Sequence, residues 1–381
     1  MPIADLERER SAPVNYAVEY RSGKRELHGM EPPAFTISVA DRPQLERVLK
    51  GDVYSAAFGF IRREFDISGD LVAALHLRQD LSHPGWRDRF LALAARFSPA
   101  RIETWFQGRK RAAENIRFHY DVPTPFYEAF LDSHLVYSAA AFQDAGWSLD
   151  QAQEAKLKQM CEALELRAGE RFLDVGCGWG ALVAYAADCY KVRATGCTLS
   201  RKQYQFGRSL IRLRGLENLA SIQELDYRDL SGRFDKIASV GMFEHVGRHR
   251  LGGYFRKVYS LLESGGKFLN SGIVRPQNVV DGAETWFLLK RVFPGGELVH
   301  LSDVVRAAEK AGLEILRVES RRTDYARTCR EWVVRLRQNE NVCVRLVGEE
   351  TYRTWLLYLA ASAANFDADT TNVFSVLMRK G

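Results

Sequence analysis

An acidic residue running into three closely spaced glycines, Asp174-Val175-Gly176-Cys177-Gly178-Trp179-Gly180, is the pattern in this chain best suited to hold a reactive small molecule. Glycine permits a positive φ or a close backbone approach that a Cβ would block. A helix opening at Ala181 would add free N–H groups and a partial positive charge, which suit a ligand carboxylate. The spacing is G-x-G-x-G, not the G-x-G-x-x-G of a pyrophosphate-binding turn. With Asp174 just before it, the turn suits a nucleoside cofactor that carries an amino acid, S-adenosylmethionine. A plain structural turn would use the same glycines.

Other polar clusters recur where a repeating β/α unit would deliver them to strand ends. Thr198-Leu199-Ser200, with Gln203 one helical turn on, could take ribose hydroxyls, a task that dinucleotide folds give to an acid. Thr198 as a helix cap is compatible with the same residues. Asp226-Tyr227-Arg228-Asp229 could flank an adenine, and Phe243-Glu244-His245-Val246-Gly247 brings a carboxylate and an imidazole to the same edge.

The elements that must position these clusters follow from periodicity and breakers. A helix over Gln151 to Leu164 leads into strand Phe172 to Val175 and helix Ala181 to Tyr190. Strand Val192 to Cys197 precedes helix Ser200 to Arg214. Strands Ser221 to Leu225 and Phe234 to Val240 follow, then helix Leu251 to Leu262, closed by Gly265-Gly266, and strand Lys267 to Ile273. Such alternation implies an α/β fold, a Rossmann-like doubly wound and mostly parallel sheet with ligands at the C-terminal strand ends. Asn278 to Gly312 interrupts it. With helix Tyr325 to Asn339 and the apolar Trp355 to Ala364, that region reads as a helical lid.

Ahead of this frame, residues 1 to about 30 read as polar and irregular. Phe35 to Val39 reads as a strand and Arg42 to Lys50 as a helix. Phe58 to Phe65 and Leu71 to Leu77 supply apolar faces, and Trp86 to Phe97 reads as helical. The basic segment Gly108 to Arg117 marks the expected boundary between a small domain over 1–107 and a larger one over 108–381.

At 381 residues and 46% apolar content the chain is long enough for two packed domains. No run approaches the roughly 18 uncharged apolar residues of a membrane span, and Met1 to Arg10 lacks the apolar core of a secretory signal. The six cysteines have no C-x-x-C pair and no metal-ligand spacing, so they read as reduced thiols of a cytoplasmic protein without a metal. Net charge is +6, with basic clusters at Arg109-Lys110-Arg111, Arg248 to Arg250, Arg321-Arg322 and Arg327 to Arg337. These read either as ordinary solvated faces or as a surface for an anionic membrane. No nucleic-acid motif accompanies them.

The motifs and their order make the chain similar to the cyclopropane fatty acid synthase family over nearly its whole length. Besides the clusters above, the resemblance rests on His119-Tyr120-Asp121, Phe126-Tyr127, Leu131-Asp132 and Tyr137-Ser138. It continues in Phe293-Pro294-Gly295-Gly296-Glu297-Leu298 and in Asp324-Tyr325-Ala326-Arg327-Thr328 with Trp332. It implies a class I methyltransferase domain with a smaller α+β lipid-facing domain before it. The implied reaction is methyl transfer from S-adenosylmethionine to the cis double bond of a membrane phospholipid's acyl chain, by a cytoplasmic protein in peripheral contact with the bilayer. Relatives suggest a homodimer. The resemblance gives the cofactor to Tyr137, Ser138, Asp174, Gly176, Gly178, Gly180, Thr198, Leu199, Gln203, Asp226, Tyr227 and Phe243.

An alkene is a weak nucleophile, so the methyl must be held in line and kept dry. Attack leaves a carbocation, for which Phe126, Phe142, Trp179, Phe243, Trp286 and Tyr325 are candidate aromatic faces. In the family the base is a bound bicarbonate, held by a Cys, a Glu, a His, a Tyr and a backbone contact. Glu244, Tyr325 and Ile273 match, with His245 beside them as a further catalytic candidate. Ala139 stands at the Cys position, and Ser271, or Asn270 with a one-residue slip, stands at the His position. Bicarbonate thereby loses two of its usual partners. Cyclopropane formation and a methyl branch without ring closure both stay open. So do methylation of a small soluble acceptor and a non-catalytic cofactor- or lipid-binding role, although the retained Glu244 and Tyr325 speak against the last.

Overall fold

The computed structural model describes residues 14–81, 122–279, 292 and 297–381. The chain divides into two compact units, Met1–Phe90 and Leu91–Gly381. The expected 107/108 boundary, the Trp86 to Phe97 and Gly108 to Arg117 segments, His119 to Asp121, Trp286 and Phe293 to Gly296 lie outside the described residues.

The first unit contains a mixed sheet of order β2-β1-β3-β4, built from β1 (Tyr16–Tyr20), β2 (Arg25–His28), β3 (Phe35–Val39) and β4 (Asp66–Gly69). The expectation of an irregular start is corrected here, because Tyr16 to His28 forms a hairpin that turns at Gly23, φ +87°. In β3, buried Phe35, Ile37 and Val39 alternate with half-buried Thr36 and Ser38, the period of a one-faced strand. Helices α1 (Arg42–Lys50) and α2 (Val53–Ile61) open on Asp41 and Asp52, whose carboxylates accept from the N–H groups of Gln44 and Ser55 at 2.8 Å each. Helix α3 (Leu71–Leu81) follows β4.

In the second unit, α4 (Thr124–Glu128) and α5 (Leu149–Leu164) precede the sheet strands β5 (Arg171–Val175), β6 (Arg193–Thr198), β7 (Ala220–Glu224), β8 (Phe234–Val240), β9 (Leu262–Val274), β10 (Leu313–Ser320) and β11 (Asn372–Lys380). Their order is β10-β11-β9-β8-β5-β6-β7, parallel from β9 through β7, with β11 antiparallel to both of its neighbours. Helices α6 (Ala181–Tyr190), α7 (Arg201–Leu213), α8 (Leu251–Leu261) and α9 (Leu301–Lys310) connect them. Both faces are covered, which is why Phe172-Leu173-Asp174-Val175 is buried throughout instead of alternating. Phe172 packs with Val183, Ala187, Ile211 and Ile222 on one side. Leu173 and Val175 pack with Ile237, Phe255, Phe268 and Val304 on the other. Strand order reverses between β5 and β8, the place where an open α/β sheet leaves a crevice.

Two expectations change. Gly265-Gly266 does not close α8, which ends at Leu261 and runs directly into the long strand β9. The glycines instead form an irregularity in that strand: Phe234 faces Leu262, but Lys236 faces Lys267. The Asn278 to Gly312 stretch is not wholly an interruption, since α9 is an ordinary crossover helix packed on α8 before β10. Helix α10 (Arg322–Gln338), α11 (Glu340–Val347) and α12 (Glu349–Asp367) complete the unit. Helices α10 and α12 pack on each other, with Tyr325 stacked on Phe366 at 4.6 Å between ring centres.

The arginine-rich α10 is bound into the structure by its own side chains. Arg327 donates to the carbonyls of Asp144, Ala145 and Trp147, Arg335 to Leu131 and Asp150, and Arg330 pairs with Asp367. No helix among the described residues is long and apolar enough to cross a membrane. The six cysteines form no disulfide.

Candidate active site

The segment Leu135 to Ala141 forms one wall of the crevice and is anchored from both sides. Buried Asp132 accepts from the N–H groups of His134 and Val136 at 2.9 and 2.8 Å. From α5, Gln153 Nε2 donates to the carbonyls of Val136 and Ser138. From α10, Thr328 Oγ1 accepts from the Ala140 N–H at 3.0 Å and Asp324 accepts from the Phe142 N–H at 3.1 Å. The helix carrying Tyr325 therefore also fixes the backbone at Ala139.

Between this wall and the strand ends lies a cleft lined by Tyr137, Ser138, Asp174, Gly176, Gly178, Trp179, Thr198, Leu199, Gln203, Asp226, Tyr227 and His245. All of these but Trp179 and His245 are cofactor candidates, and they converge from positions spread between Tyr137 and Tyr227. The glycines at the end of β5 divide the work. Gly176 has φ +82° and a Cβ there would lie 2.8 Å from Met242, whereas Gly178, φ +53°, faces open space. Gly180 does not line the cleft. It caps α6 at φ +90° and admits the close approach of Ile222 and Gly207. Ser200, not Thr198, caps α7, and the Thr198 hydroxyl donates to Gln203 Oε1 at 2.7 Å, so these two form a pre-set pair. Asp226 is tied to Arg228 through its backbone N–H and its guanidinium.

Asp174 is 4% exposed, and burial raises its carboxyl to about 7 despite the opposing pull of Lys156. Because its pKa is raised, its contribution favours folding at low pH and is lost as pH rises through about 7. Asp174→Asn should therefore raise the Tm of the cofactor-free protein at pH 8 by on the order of 5 °C, and by less at pH 5. Thermal melts at the two pH values check this. Equal shifts at both would show that the carboxylate is not strained by burial.

The short turn Phe243–His245 sends its three side chains three ways. Phe243 packs into the core against Gly272 and lines neither cavity, which corrects its place among the cofactor contacts. His245 faces the cofactor cleft, where burial lowers it to about 4 and keeps it neutral, so it is not part of Glu244's cavity. Glu244 faces a second cavity of about 470 Å3 together with Ala139, Ser271, Ile273 and Tyr325. The residues proposed for the anion cage are thus brought together. Glu244 Oε1 accepts from the Ile273 N–H at 2.7 Å, while Oε2 is buried without a hydrogen bond. Burial raises this carboxyl to about 7, against the lowering effect of that N–H.

Strand register separates the two residues left open at the His position. Ser271 lines the cavity and its hydroxyl accepts from Ser375 at 3.0 Å. Asn270 points to the opposite face, where its Oδ1 accepts from the Tyr254 hydroxyl at 2.9 Å. The Ile273 N–H expected to serve an anion is committed to Glu244. Among the aromatic candidates, Tyr325 lines the second cavity and Trp179 the cofactor cleft. Phe126 is enclosed by Tyr127, Phe130 and Trp355, and the Phe142 ring carries the Arg327 guanidinium at 3.9 Å.

Three participants were not foreseen from sequence. Gly272 has Phe243 and Glu244 where a Cβ would go, and Ser375 enters from the last strand. Lys156 lines both cavities and donates to Ser138 Oγ at 2.9 Å. Its signal was present: it lies on α5 midway between buried Ala152 and Met160, a charge in an apolar stripe.

A family model described as mycolic acid cyclopropane synthetase matches residues 107–376. A probable fatty acid methyltransferase from Pseudomonas putida is 37% identical over 355 residues, covering 91% of this chain and 88% of that protein. A cyclopropane-fatty-acyl-phospholipid synthase from Escherichia coli is 34% identical over 275 residues, 72% of this chain and 70% of that one. Among solved structures, mycolic acid cyclopropane synthase CmaA1 complexed with SAH and CTAB superposes with a TM-score of 0.67 at 29% identity, covering 70% of this chain and 98% of that one.

Proposed function

The chain belongs to the mycolic acid cyclopropane synthetase family, and from that premise we propose that it transfers a methyl group from S-adenosylmethionine to the double bond of an unsaturated acyl chain. The observation that carries this reading is that the two cavities adjoin, with Ser138, Lys156, Met160, Val240 and Gly241 lining both. The first cavity fits the cofactor. Asp174 offers a buried carboxylate to an ammonium, Gly178 leaves its space open, and Thr198, Gln203, Asp226 and Tyr227 offer polar and aromatic contacts to a nucleoside. Bound S-adenosylmethionine supplies an electrophilic methyl group on a sulfonium.

The second cavity suits an alkene. Ala139, Ala140, Ala141, Leu269, Ile273 and Val373 give it apolar walls, Glu244 gives it a buried carboxylate, and Lys156, Glu162, Arg317, Glu319 and Arg321 also line it. As the alkene π pair forms the new carbon–carbon bond, the C–S pair passes to sulfur and positive charge develops on the acyl chain. Glu244 and Tyr325, which line this cavity, would stabilise that charge. Glu244 Oε2, free of any hydrogen bond, then accepts the proton. Bicarbonate fits these residues poorly, with the Ile273 N–H already taken and a serine where an imidazole would stand, so no step is routed through it.

The proton's source decides the product. Loss from the transferred methyl lets that C–H pair close a cyclopropane. Loss from a neighbouring chain carbon leaves a methyl branch and a shifted double bond. The second outcome is favoured because Ala139 and the Ser271–Ser375 hydroxyl pair add no further base beside Glu244 to take a proton from the new methyl group. Incubation with unsaturated phospholipid vesicles and the deuterated-methyl cofactor, followed by mass spectrometry of the acyl chains, separates them. A cyclopropane retains two deuteriums and a methyl branch three. Cofactor binding without any label in lipid would sink the lipid reading, and label in a small soluble acceptor would replace it. Phospholipid as the acceptor, and peripheral contact with a bilayer, belong to the same proposal and are read out by the vesicle arm.

A further inference from the structure

Asp174 and Lys156 are opposite charges facing the same cleft, close enough to perturb each other yet forming no ion pair within 4.0 Å. Asp174 is 4% exposed, and its carboxylate accepts no hydrogen bond among the described residues. The Lys156 ammonium has three donors and directs one to Ser138 Oγ; the carboxylates of Asp132 and Asp174 both act on it, and neither forms an ion pair with it within 4.0 Å. Holding two such groups apart in a low-dielectric site is costly unless something fits between them.

The gap lies at the seam of the two cavities, since Lys156 and Ser138 line both. The nucleoside contacts, Thr198, Gln203, Asp226 and Tyr227, follow β6 and β7, whereas Asp174 ends β5 in the middle of the sheet. With the nucleoside contacts after β6 and β7, Asp174 and Lys156 would be left to hold the cofactor's amino-acid end. That end is a zwitterion, one ammonium and one carboxylate, and matches the separated charges in sign. We propose that Lys156 binds the carboxylate of the cofactor's amino-acid tail, with Asp174 taking its ammonium. This assignment rests on the cofactor reading given above. Burial lowers Lys156 to about 8 and raises Asp174 to about 7, so each is partly discharged near neutrality and each is recharged by a ligand group of opposite sign.

The test compares S-adenosylhomocysteine with 5′-methylthioadenosine, which keeps the nucleoside and thioether but has no amino acid, by calorimetry on the full chain. Lys156→Met should weaken S-adenosylhomocysteine roughly ten- to one-hundred-fold, the value of a charge-assisted hydrogen bond, and leave methylthioadenosine unchanged. Lys156→Arg should recover part of the loss. Equal weakening of both ligands would make Lys156 a structural support of the wall, and no weakening would remove it from the site; either overturns the assignment. If Lys156→Met does not fold, Lys156→Gln carries the same comparison. Failure of the wild-type chain to bind either ligand would defeat the cofactor reading itself. A wild-type preference for S-adenosylhomocysteine that survives in Lys156→Met defeats only this assignment.

Discussion

Glu244→Gln should lower turnover by roughly 10²–10⁴-fold, the range of a lost general base, and leave S-adenosylhomocysteine affinity nearly unchanged. The substitution keeps the side chain's size and its acceptor for the Ile273 N–H, so the turn that carries it has no reason to move. What it removes is Oε2, the carboxylate oxygen that accepts no hydrogen bond. The wild-type pH profile gives a second reading. The base works deprotonated, so kcat should rise as pH passes through about 7 and fall away below it. Asp174 is raised to a similar value, so the profile must be taken at saturating cofactor, where kcat reports groups in the loaded enzyme. Wild-type turnover in Glu244→Gln, or a flat profile from pH 5 to 8, would place the base elsewhere.

Gly272→Ala should cost about as much in activity through geometry alone. A Cβ at this position would lie 2.3 Å from the Phe243 ring and 2.8 Å from Glu244 Oε1. Both neighbours are confined, the ring by the core and the carboxylate by its bond to Ile273. The expected result is a displaced Glu244, turnover reduced on the order of a hundred-fold by a shift of about 1 Å, and a stability loss of about 1–3 kcal/mol. S-adenosylhomocysteine binding should persist, because Gly272 does not line that cleft. Kinetics together with denaturant unfolding would check both parts. Normal turnover with normal stability would mean that the Phe243–Glu244 turn yields freely and does not position the carboxylate.

Much of the second unit was readable before folding because its strands are buried on both faces and its helices carry clear stops and starts. The positive φ of Gly180 opens α6 where the glycines said it would, while the Ser148–Gln151 capping box starts α5 at Leu149, two residues ahead of the expected Gln151. The hairpin Tyr16 to His28 was missed for the opposite reason. Its strands are short, β2 is mostly exposed, and charged residues interrupt the alternation. Strands β10 and β11 left little signal because β10 is a largely exposed edge. The lid reading failed at α9, whose packing on α8 depends on a partner fifty residues away.

The sequence by itself determined which chemistry is available: an acid and glycines for a nucleoside with an amino acid, a carboxylate and a tyrosine for an electron-poor centre. These are properties of residue types and local spacing, and local backbone rules are enough to read them. Only the tertiary structure decided which side each residue serves. Strand pleating turned Ser271 into the cavity and Asn270 out of it. A single short turn separated Glu244 from His245 and Phe243. Packing of α5 against the wall brought Lys156 into the cleft that Asp174 also lines. Facing and distance are set by the packed core, and no spacing along a chain records them.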